Sequence, residues 1–252
     1  MPKLAVIGGT GLTEIKELKV IKQETVETPY GSVSAPFMLG ELAGTEIIFL
    51  ARHGVGHTIP PHKINYRANI WSLQKLGVTH VVGVAAVGGI HAQIPPEKII
   101  IPEQIIDYTY GREHTFFAEN LEHVTHIDFT RPYCGELRNI LLAAANGLNI
   151  NVFAGGTYAA TQGPRLETAA EINRLQNDGC DIVGMTAMPE AALAKELGLC
   201  YASCALCVNW AAGKNVDSKK EITMQEIQQA LDNGMGQIKQ ILASAITACA
   251  EL

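Results

Sequence analysis

The segment that decides the fold is Leu4-Ala5-Val6-Ile7, which runs directly into Gly8-Gly9-Thr10-Gly11. Four consecutive apolar residues indicate a buried β-strand, and the glycines after them indicate a tight loop at its carboxyl end. Such a loop lets backbone N–H groups and the Thr10 hydroxyl approach an anion closely. The segment therefore predicts a phosphate cradle, and the phosphate could belong to a dinucleotide, a nucleotide or free orthophosphate.

Length and composition favour one α/β domain spanning residues 1–252. The 252 residues are 47% hydrophobic, which is enough to bury a full core. The net charge is −6, and the 19 basic residues form no stripe that could neutralise a nucleic acid or an anionic membrane. No signal segment or bilayer-length apolar stretch is evident. We therefore expect a cytoplasmic protein with a small-molecule partner, no nucleic acid and no membrane.

The six cysteines lie mostly in apolar surroundings, which predicts free thiols in a reducing compartment. They are Cys134, Cys180, Cys200, Cys204, Cys207 and Cys249.

Apolar runs alternate with helical periodicity along the whole chain, without a linker or an internal repeat. Strands rich in Val, Ile and Ala are predicted over residues 3–8, 46–51, 79–87, 98–107, 152–161, 181–184 and 201–209. Helices are predicted over residues 62–76, 135–146, 166–177, 189–197 and 223–250. This order predicts a mixed central sheet flanked by helices on both faces.

A dinucleotide site is the obvious alternative for the first loop, but the match is poor. The fingerprint G-x-G-x-x-G needs a third glycine where this chain has Glu14. The following segment, residues 19–28, is polar and does not resemble the second buried strand of that motif. Standing alone, the loop would most simply be a tight turn without a ligand.

Two further strand ends carry groups that can bind an anion. Arg52-His53-Gly54 follows the apolar run Ile47–Leu50, and Thr186 follows the predicted strand 181–184. Ligands of α/β folds gather at the carboxyl ends of strands. We therefore expect Thr10, Arg52 and Thr186 to converge on one anion.

Several ordered motifs extend this pattern over nearly the whole chain. They are Gly9-Thr10-Gly11-Leu12, Arg52-His53-Gly54 with His57, Asn65-Tyr66-Arg67-Ala68-Asn69, Val87-Gly88-Gly89, Gln162-Gly163-Pro164-Arg165-Leu166-Glu167-Thr168, and Val183-Gly184-Met185-Thr186 with Pro189-Glu190. Together they resemble the trimeric family of purine nucleoside phosphorylases and methylthioadenosine phosphorylases.

The resemblance implies a homotrimer that catalyses reversible phosphorolysis: orthophosphate displaces a purine from C1′ of a nucleoside. It implies no metal and no organic cofactor, because phosphate is a co-substrate. The implied phosphate ligands are Thr10, Arg52, His53 and Thr186, with backbone N–H groups near Ala85 and Ala86, and Met185 packs under the ribose. An anion held beneath C1′ would stabilise an oxocarbenium-like transition state. The family carries Asn or Thr where this chain has Ala85, so one side-chain contact is missing.

The base pocket departs from the adenine-specific branch of the family. That branch has two Asp residues where this chain has Asn209 and Ala211 in the run Asn209-Trp210-Ala211. An Asn can donate to O6 and accept from a protonated N7, whereas an Asp only accepts. By resemblance, Glu167 accepts the N1–H of a 6-oxopurine. In isolation Asn209 would be a turn or cap residue and Glu167 a first-turn acid; with the motifs, both are predicted to be catalytic and adenine is disfavoured.

The sugar pocket resembles the methylthio branch instead. His126 lies in a segment that reaches a neighbouring subunit in that branch, and Thr223, Met224 and Ile227 match its apolar 5′ pocket. A methylthio group would gain about 1 to 2 kcal/mol by burial there. The combination predicts phosphorolysis of 5′-methylthioinosine to hypoxanthine and 5-methylthioribose 1-phosphate. The alternatives are a general 6-oxopurine nucleoside phosphorylase and a methylthioadenosine phosphorylase.

Two other classes stay open on the residues alone. A zinc hydrolase could draw its ligands from several histidines and cysteines, but no H-E-x-x-H pair or second C-x-x-C supports it. The candidates are His53, His57 and His62, the pair His123 and His126, and Cys200, Cys204 and Cys207. A purine-binding protein without turnover could use the same base pocket. A phosphate held beneath the sugar argues against the second class, because binding alone does not need one.

Overall fold

Strand β1 and the strands beside it organise the molecule. A computed structural model describes residues 3–12, 15–119 and 121–250. Its strands are β1 (Leu4–Gly8), β2 (Lys19–Glu24), β3 (Phe37–Leu42), β4 (Thr45–Ala51), β5 (His80–Gly89), β6 (Ile99–Ile101), β7 (Gln104–Asp107), β8 (Val152–Ala154), β9 (Thr157–Ala160), β10 (Ile182–Gly184) and β11 (Cys200–Trp210). All five residues of β1 are buried, as the apolar run predicts.

The strands form one mixed sheet with β5 at its centre. The order is β2-β3-β4-β1-β5-β10-β9-β7, and β11 leaves this path by pairing with β5 and β6, while β8 pairs with β6. The central pairs β1–β4, β1–β5 and β5–β11 are parallel. The pairs β2–β3, β3–β4, β5–β10 and β6–β11 are antiparallel. The carboxyl ends of four central strands therefore open toward one edge, where the cavity described below lies.

Five α-helices cover the sheet: α1 (Tyr66–Lys75), α2 (Gly135–Gly147), α3 (Ala169–Asn177), α4 (Ala187–Glu196) and α5 (Met224–Ala250). Helix α5 packs on β11 and α2, and α4 packs on α1 and β11. The predicted fold class, a single α/β domain with a mixed sheet flanked by helices, is confirmed.

Element boundaries differ from the prediction where proline or a cap intervenes. A short 3₁₀ helix, Pro61–Lys63, precedes α1, which begins after Asn65 because its side chain accepts from the Ala68 N–H. Helix α3 begins after Thr168, which forms a capping box with Glu171. Glu167 thus lies before the cap rather than in the first helical turn.

Two strands were not predicted, and two predicted strands are each split in two. Strand β2 has mostly exposed residues and β3 alternates in burial, so neither shows a continuous apolar run. The predicted strand 98–107 is β6 and β7, and 152–161 is β8 and β9. The polar segment 19–28 contains β2, whose residues are mostly exposed, so the prediction that this segment is not the buried second strand of a Rossmann motif is confirmed. Glu14, at the missing third glycine, lies outside the described residues.

The prediction that all six cysteines are free thiols is wrong for two of them. Cys134 and Cys200 form a disulfide between the start of α2 and the start of β11. Sequence spacing does not reveal this pair, because 66 residues separate its members. Cys180, Cys204, Cys207 and Cys249 are free and buried. The cytoplasmic location stays a prediction. Within the described residues, none of the helices combines the length and apolar character that a membrane crossing requires.

Candidate active site

A cavity of about 300 Å³ lies at the carboxyl ends of the central strands. The loop after β1, the loop after β4, the middle of β5, the β10–α4 connection, the end of β11 and the start of α5 all contribute to it. The predicted site residues that line it are Thr10, Arg52, His53, Ala85, Ala86, Glu167, Met185, Thr186, Asn209, Ala211, Met224 and Ile227. The fold thus brings predicted site residues that are far apart in sequence to the wall of one cavity.

The position of Gly9 requires a glycine because protein atoms, rather than a bound anion, lie close to its Cα. A Cβ on Gly9 would lie 2.6 Å from the carbonyl oxygen of Val84 and 2.9 Å from Arg52 Nη1. The loop is therefore seated directly against β5 and the Arg52 guanidinium. Gly11 has φ of +81°, a conformation that favours glycine, and the Leu12 N–H closes the turn on the Gly9 carbonyl. The missing side chain of Gly9 therefore leaves room for Val84 and Arg52, and the turn places Thr10 at the cavity wall.

Arg52 lines the cavity with a guanidinium that is almost completely buried. Its Nε and Nη2 donate to the two carboxylate oxygens of Glu190 at 2.7 Å, and Nη1 donates to the Val84 carbonyl at 2.7 Å. Arg52 and Glu190 are each 1% exposed, and the Tyr201 hydroxyl also donates to Glu190. Burial alone would lower the Arg52 pKa, but the Glu190 carboxylate raises it above its usual value. Arg52 is therefore always charged, and one N–H on each Nη remains without a protein acceptor.

The two histidines beside Arg52 are held neutral. Burial, and then the positive charge of Arg52, lower the pKa of His53 from 6.5 to about 4. The same two causes lower the pKa of His57, whose ring lies 4.4 Å from that of His53. His53 Nδ1 is 2.8 Å from the Ile59 carbonyl oxygen, so in the neutral ring Nδ1 carries the proton and Nε2 is an acceptor. Since the charges of Arg52 and Glu190 compensate each other and both histidines are neutral, these four side chains together carry no net charge.

Arg112 ties together the loops that carry Met185 and Thr186. Its guanidinium donates to the carbonyl oxygens of Met185, Met188, Thr161 and Gln162, and it is buried. Arg112 also donates to Gln162 Oε1 and to the Tyr66 hydroxyl, so one cation holds six acceptors from three segments of the chain and fixes the position of Met185 at the cavity.

Glu167 and Asn209 line the same cavity from the segment before α3 and from the end of β11, and both are half-buried. The Thr161 hydroxyl donates to Glu167 Oε1 at 2.6 Å, which leaves Oε2 free. Asn209 Nδ2 donates to the Trp210 carbonyl at 2.8 Å, which leaves its second N–H and Oδ1 free. Each side chain is therefore oriented by one protein contact and keeps polar atoms for a ligand.

The predicted 5′ residues divide between two environments. Met224, which is 74% exposed, and Ile227, which is buried, both line the cavity. Thr223 instead caps α5, because its hydroxyl accepts from the Glu226 N–H. Trp210, which was predicted to bind the substrate beside Asn209, lines an adjoining cavity that shares Asn209 and Ala211 with the first. His126 is exposed and does not line the cavity of its own chain.

Three residues of the site were not assigned from the sequence. Glu190 stands in the apolar run Ala187–Ala194, where a lone acid signals a buried partner. His57 belongs to one of the sequence motifs, but its ring nitrogen Nε2 lies 3.4 Å from the Thr10 hydroxyl only because the fold brings two distant loops together. Arg112 lies in a segment without periodicity and gives no sequence signal. Among the described residues, His53, His57 and His62 belong to no cluster of three metal-ligating side chains, and of the cysteines considered for a zinc hydrolase only Cys200 does, together with His80 and Glu136.

Comparison with known proteins identifies the family. Residues 3–247 match the family model described as the phosphorylase superfamily. A probable S-methyl-5′-thioinosine phosphorylase from Pseudomonas syringae is 53% identical over 248 residues, covering 98% of this chain and 100% of that protein. A 6-oxopurine nucleoside phosphorylase from Pyrococcus furiosus is 44% identical, covering 98% and 92%.

Solved structures agree with the sequence relatives. Methylthioadenosine phosphorylase from Schistosoma mansoni in complex with adenine superposes with a TM-score of 0.95 at 30% identity, over 100% of this chain and 93% of that one. The family predicted from the motifs is confirmed, and with it an enzyme of the pentosyltransferase type. The chain belongs to the phosphorylase superfamily.

Proposed function

We propose that this enzyme catalyses the reversible phosphorolysis of S-methyl-5′-thioinosine to hypoxanthine and 5-methylthioribose 1-phosphate. The observation that carries the proposal is a single cavity lined both by anion donors and by the pair Glu167 and Asn209. We call the part lined by Thr10, Arg52, His53 and Thr186 the anion end, and the part lined by Glu167, Asn209, Met224 and Ile227 the nucleoside end. The names of several relatives at 45 to 53% identity support this substrate.

Orthophosphate would bind at the end formed by Thr10, Arg52, His53 and Thr186. Two threonine hydroxyls, the free N–H groups of Arg52 and backbone N–H groups near Ala85 and Ala86 are its donors. Because Glu190 already compensates Arg52, the phosphate keeps most of its own negative charge, and that charge faces C1′. An anion beneath C1′ stabilises the positive charge that develops on the sugar as the base leaves.

His53 gives this site a proton acceptor as well as donors. Its Nδ1 is committed to the Ile59 carbonyl, so Nε2 can accept a hydrogen bond from the hydroxyl of monohydrogen phosphate. The side-chain oxygen of Asn or Thr found elsewhere in the family is absent at Ala85. We infer that His53, Thr10 and Thr186 orient the phosphate in place of that missing side-chain contact.

Base recognition would use the atoms that Glu167 and Asn209 keep free. Glu167 Oε2 accepts the N1–H of a 6-oxopurine, while the free amide N–H of Asn209 donates to O6 and its Oδ1 accepts from N7–H. The hydrogen bond from Asn209 to O6 strengthens as negative charge moves onto the departing base, because O6 then becomes a better acceptor. Adenine has no N1–H and presents an amino group at C6, so both contacts would be mispaired.

The 5′ substituent would pack against Met224 and Ile227. A thioether gains free energy from apolar burial, whereas a 5′-hydroxyl placed there would lose its hydrogen bonds to water. Met185 would lie under the ribose.

The enzyme would act as a homotrimer in which His126 completes the 5′ pocket of a neighbouring subunit. The exposure of Met224 and of His126 in the single chain supports this arrangement, because both would be covered by assembly. Light scattering tests the assembly. A His126→Ala variant should raise KM for the nucleoside more than it lowers kcat, and a monomeric protein with full activity would refute the arrangement.

Release of free hypoxanthine tests the proposed reaction. Methylthioinosine should yield hypoxanthine only when phosphate is present, and a chelator should leave the rate unchanged because orthophosphate is the only co-substrate required. If neither methylthioinosine nor inosine releases base, the enzyme is not a purine nucleoside phosphorylase. If inosine is cleaved at a higher kcat/KM, the general 6-oxopurine activity named for other relatives is the correct one.

A further inference from the structure

A second cluster of chemically active side chains lies at the far end of the strands that carry the active site. His80 begins β5 and Cys200 begins β11, and these two residues are direct partners in the parallel ladder. Glu136 lies in the first turn of α2, next to Cys134, which precedes that helix and is bonded to Cys200. Two strands and one helix thus bring His, Glu and two Cys together.

The imidazole of His80 faces this cluster with a nitrogen that has no hydrogen-bond partner. His80 is 9% exposed, and its Nε2 is shielded from solvent and unpartnered within the described residues. Nδ1 is 2.9 Å from the Thr79 hydroxyl, which fixes the ring orientation. Nε2 is 3.6 Å from Glu136 Oε2, too far for a hydrogen bond. A shielded ring nitrogen without a hydrogen-bond partner calls for an explanation, and coordination of an ion is one that also suits the nearby carboxylate.

The ligand atoms are spaced as a metal ion requires. One ring nitrogen of His80, a carboxylate oxygen of Glu136 and the Cys200 sulfur all lie within 4.8 Å of one another. Ligands bound at about 2.0 to 2.3 Å in a tetrahedron stand roughly 3.3 to 3.8 Å apart, so small side-chain rotations suffice. Nitrogen, carboxylate oxygen and thiolate together are a donor set that suits Zn²⁺.

We propose that reduction of the Cys134–Cys200 disulfide opens a structural Zn²⁺ site formed by His80, Glu136 and Cys200, with Cys134 as the fourth ligand. The reductant is a low-molecular-weight thiol or a phosphine, which supplies two electrons and is itself oxidised. Each cysteine sulfur gains a proton on reduction. Zn²⁺ then displaces those two protons as it binds the two thiolates.

The site would cross-link β5, α2 and β11, whereas the disulfide joins only α2 and β11. The metal ion would therefore replace the disulfide as the cross-link between α2 and β11 and add β5 to it. Ala85 follows His80 by five residues along β5, about 16 Å at the rise of a strand. The ion would therefore lie well away from the reacting atoms and support the fold rather than the chemistry. Loss of the metal should lower the thermal midpoint of the reduced protein and leave kcat nearly unchanged.

Metal binding to the chelator-treated protein tests the proposal. The oxidised wild-type protein should bind no Zn²⁺, and the same protein reduced with a phosphine should bind one ion per chain, measured against a chromophoric chelator. Cys134→Ser frees Cys200 permanently, so this variant should bind Zn²⁺ without reductant. In both reduced wild type and Cys134→Ser, Co²⁺ should give a thiolate charge-transfer band and strong visible absorption of a tetrahedral site.

Two variants identify the ligands. His80→Gln in the Cys134→Ser background should weaken Zn²⁺ binding at least tenfold, whereas Cys180→Ser, which removes a buried thiol elsewhere, should bind as wild type does. Should Cys134→Ser fail to fold, the reduced wild-type protein still gives the answer. Binding that is equal in oxidised and reduced protein, or unaffected by His80→Gln, would overturn the proposal.

Discussion

The two ends of the active-site cavity are built differently. At the anion end, Arg52 and Glu190 are each 1% exposed, and their partners come from the interior of the sheet. At the nucleoside end, Glu167 and Asn209 are half-buried and Met224 is 74% exposed, all in segments outside or at the ends of strands and helices. On the proposed assignment of these residues, the reaction with phosphate would depend on the core of the fold, whereas the choice of nucleoside would depend on residues that can change without disturbing it.

Removal of the buried counter-charge should have the largest effect. Glu190→Gln leaves Arg52 charged and uncompensated in the core, so we expect a loss of about 3 to 5 kcal/mol in the free energy of unfolding. Glu171→Gln is the matched control, because Glu171 pairs with Arg165 at the exposed surface near the nucleoside end. Its loss should be much smaller, since solvent screens that pair. Urea denaturation measures both, and equal losses would remove the contrast between the two ends.

A methyl group on the first loop should have the next largest effect. In Gly9→Ala the added Cβ would meet the Val84 carbonyl and the Arg52 guanidinium, so the loop must shift. We expect a cost of about 1 to 3 kcal/mol in stability and a raised KM for phosphate. Gly236→Ala in α5 is the control, because nothing lies within 4 Å of its added Cβ. An unchanged phosphate KM in Gly9→Ala would show that the loop does not position the anion donors.

The neutral His53 should make stability depend on pH. Its pKa falls from 6.5 in the unfolded chain to about 4 in the fold, so between these values the unfolded state binds more protons. Stability should therefore fall as the pH drops below about 6.5, by about 2 kcal/mol between pH 7 and pH 4.5. His57 shifts in the same direction.

Replacement of His53 by Gln should remove most of that slope, which urea midpoints at several pH values would reveal. Bound phosphate should oppose the fall in the wild-type protein, because a protonated His53 would attract the anion. A slope unchanged in His53→Gln would mean that other groups control acid unfolding.

Substitution at the nucleoside end should change selectivity and leave stability nearly unchanged. Asn209→Asp loses the donor to O6 and gains an acceptor for the amino group of adenine. We expect the preference for oxopurine over adenine substrates to narrow about tenfold, the effect of one hydrogen bond. Asn215→Asp, which lies in the adjoining cavity, controls for the added charge alone. Equal selectivity in Asn209→Asp and wild type would contradict the assigned role.

The sequence predicted the anion end better than it predicted the partners that hold it. Gly9, Thr10, Arg52 and Thr186 line one cavity, as the strand ends and motifs predict, and their role in binding phosphate stays a prediction. Arg112 and the disulfide between Cys134 and Cys200 were not predicted, because both depend on contacts between segments that are distant in sequence. The exposed strand β2 was not predicted for a different reason. A strand without a buried face lacks the alternation of apolar and polar residues from which strands are predicted.

The comparison of kcat/KM for methylthioinosine, inosine, guanosine and methylthioadenosine at saturating phosphate tests the central claim most directly. Methylthioinosine should rank first, because Glu167 and Asn209 suit a 6-oxopurine and Met224 and Ile227 suit a thioether. A higher value for methylthioadenosine would contradict the roles of Glu167 and Asn209, and a higher value for inosine would contradict the apolar 5′ pocket.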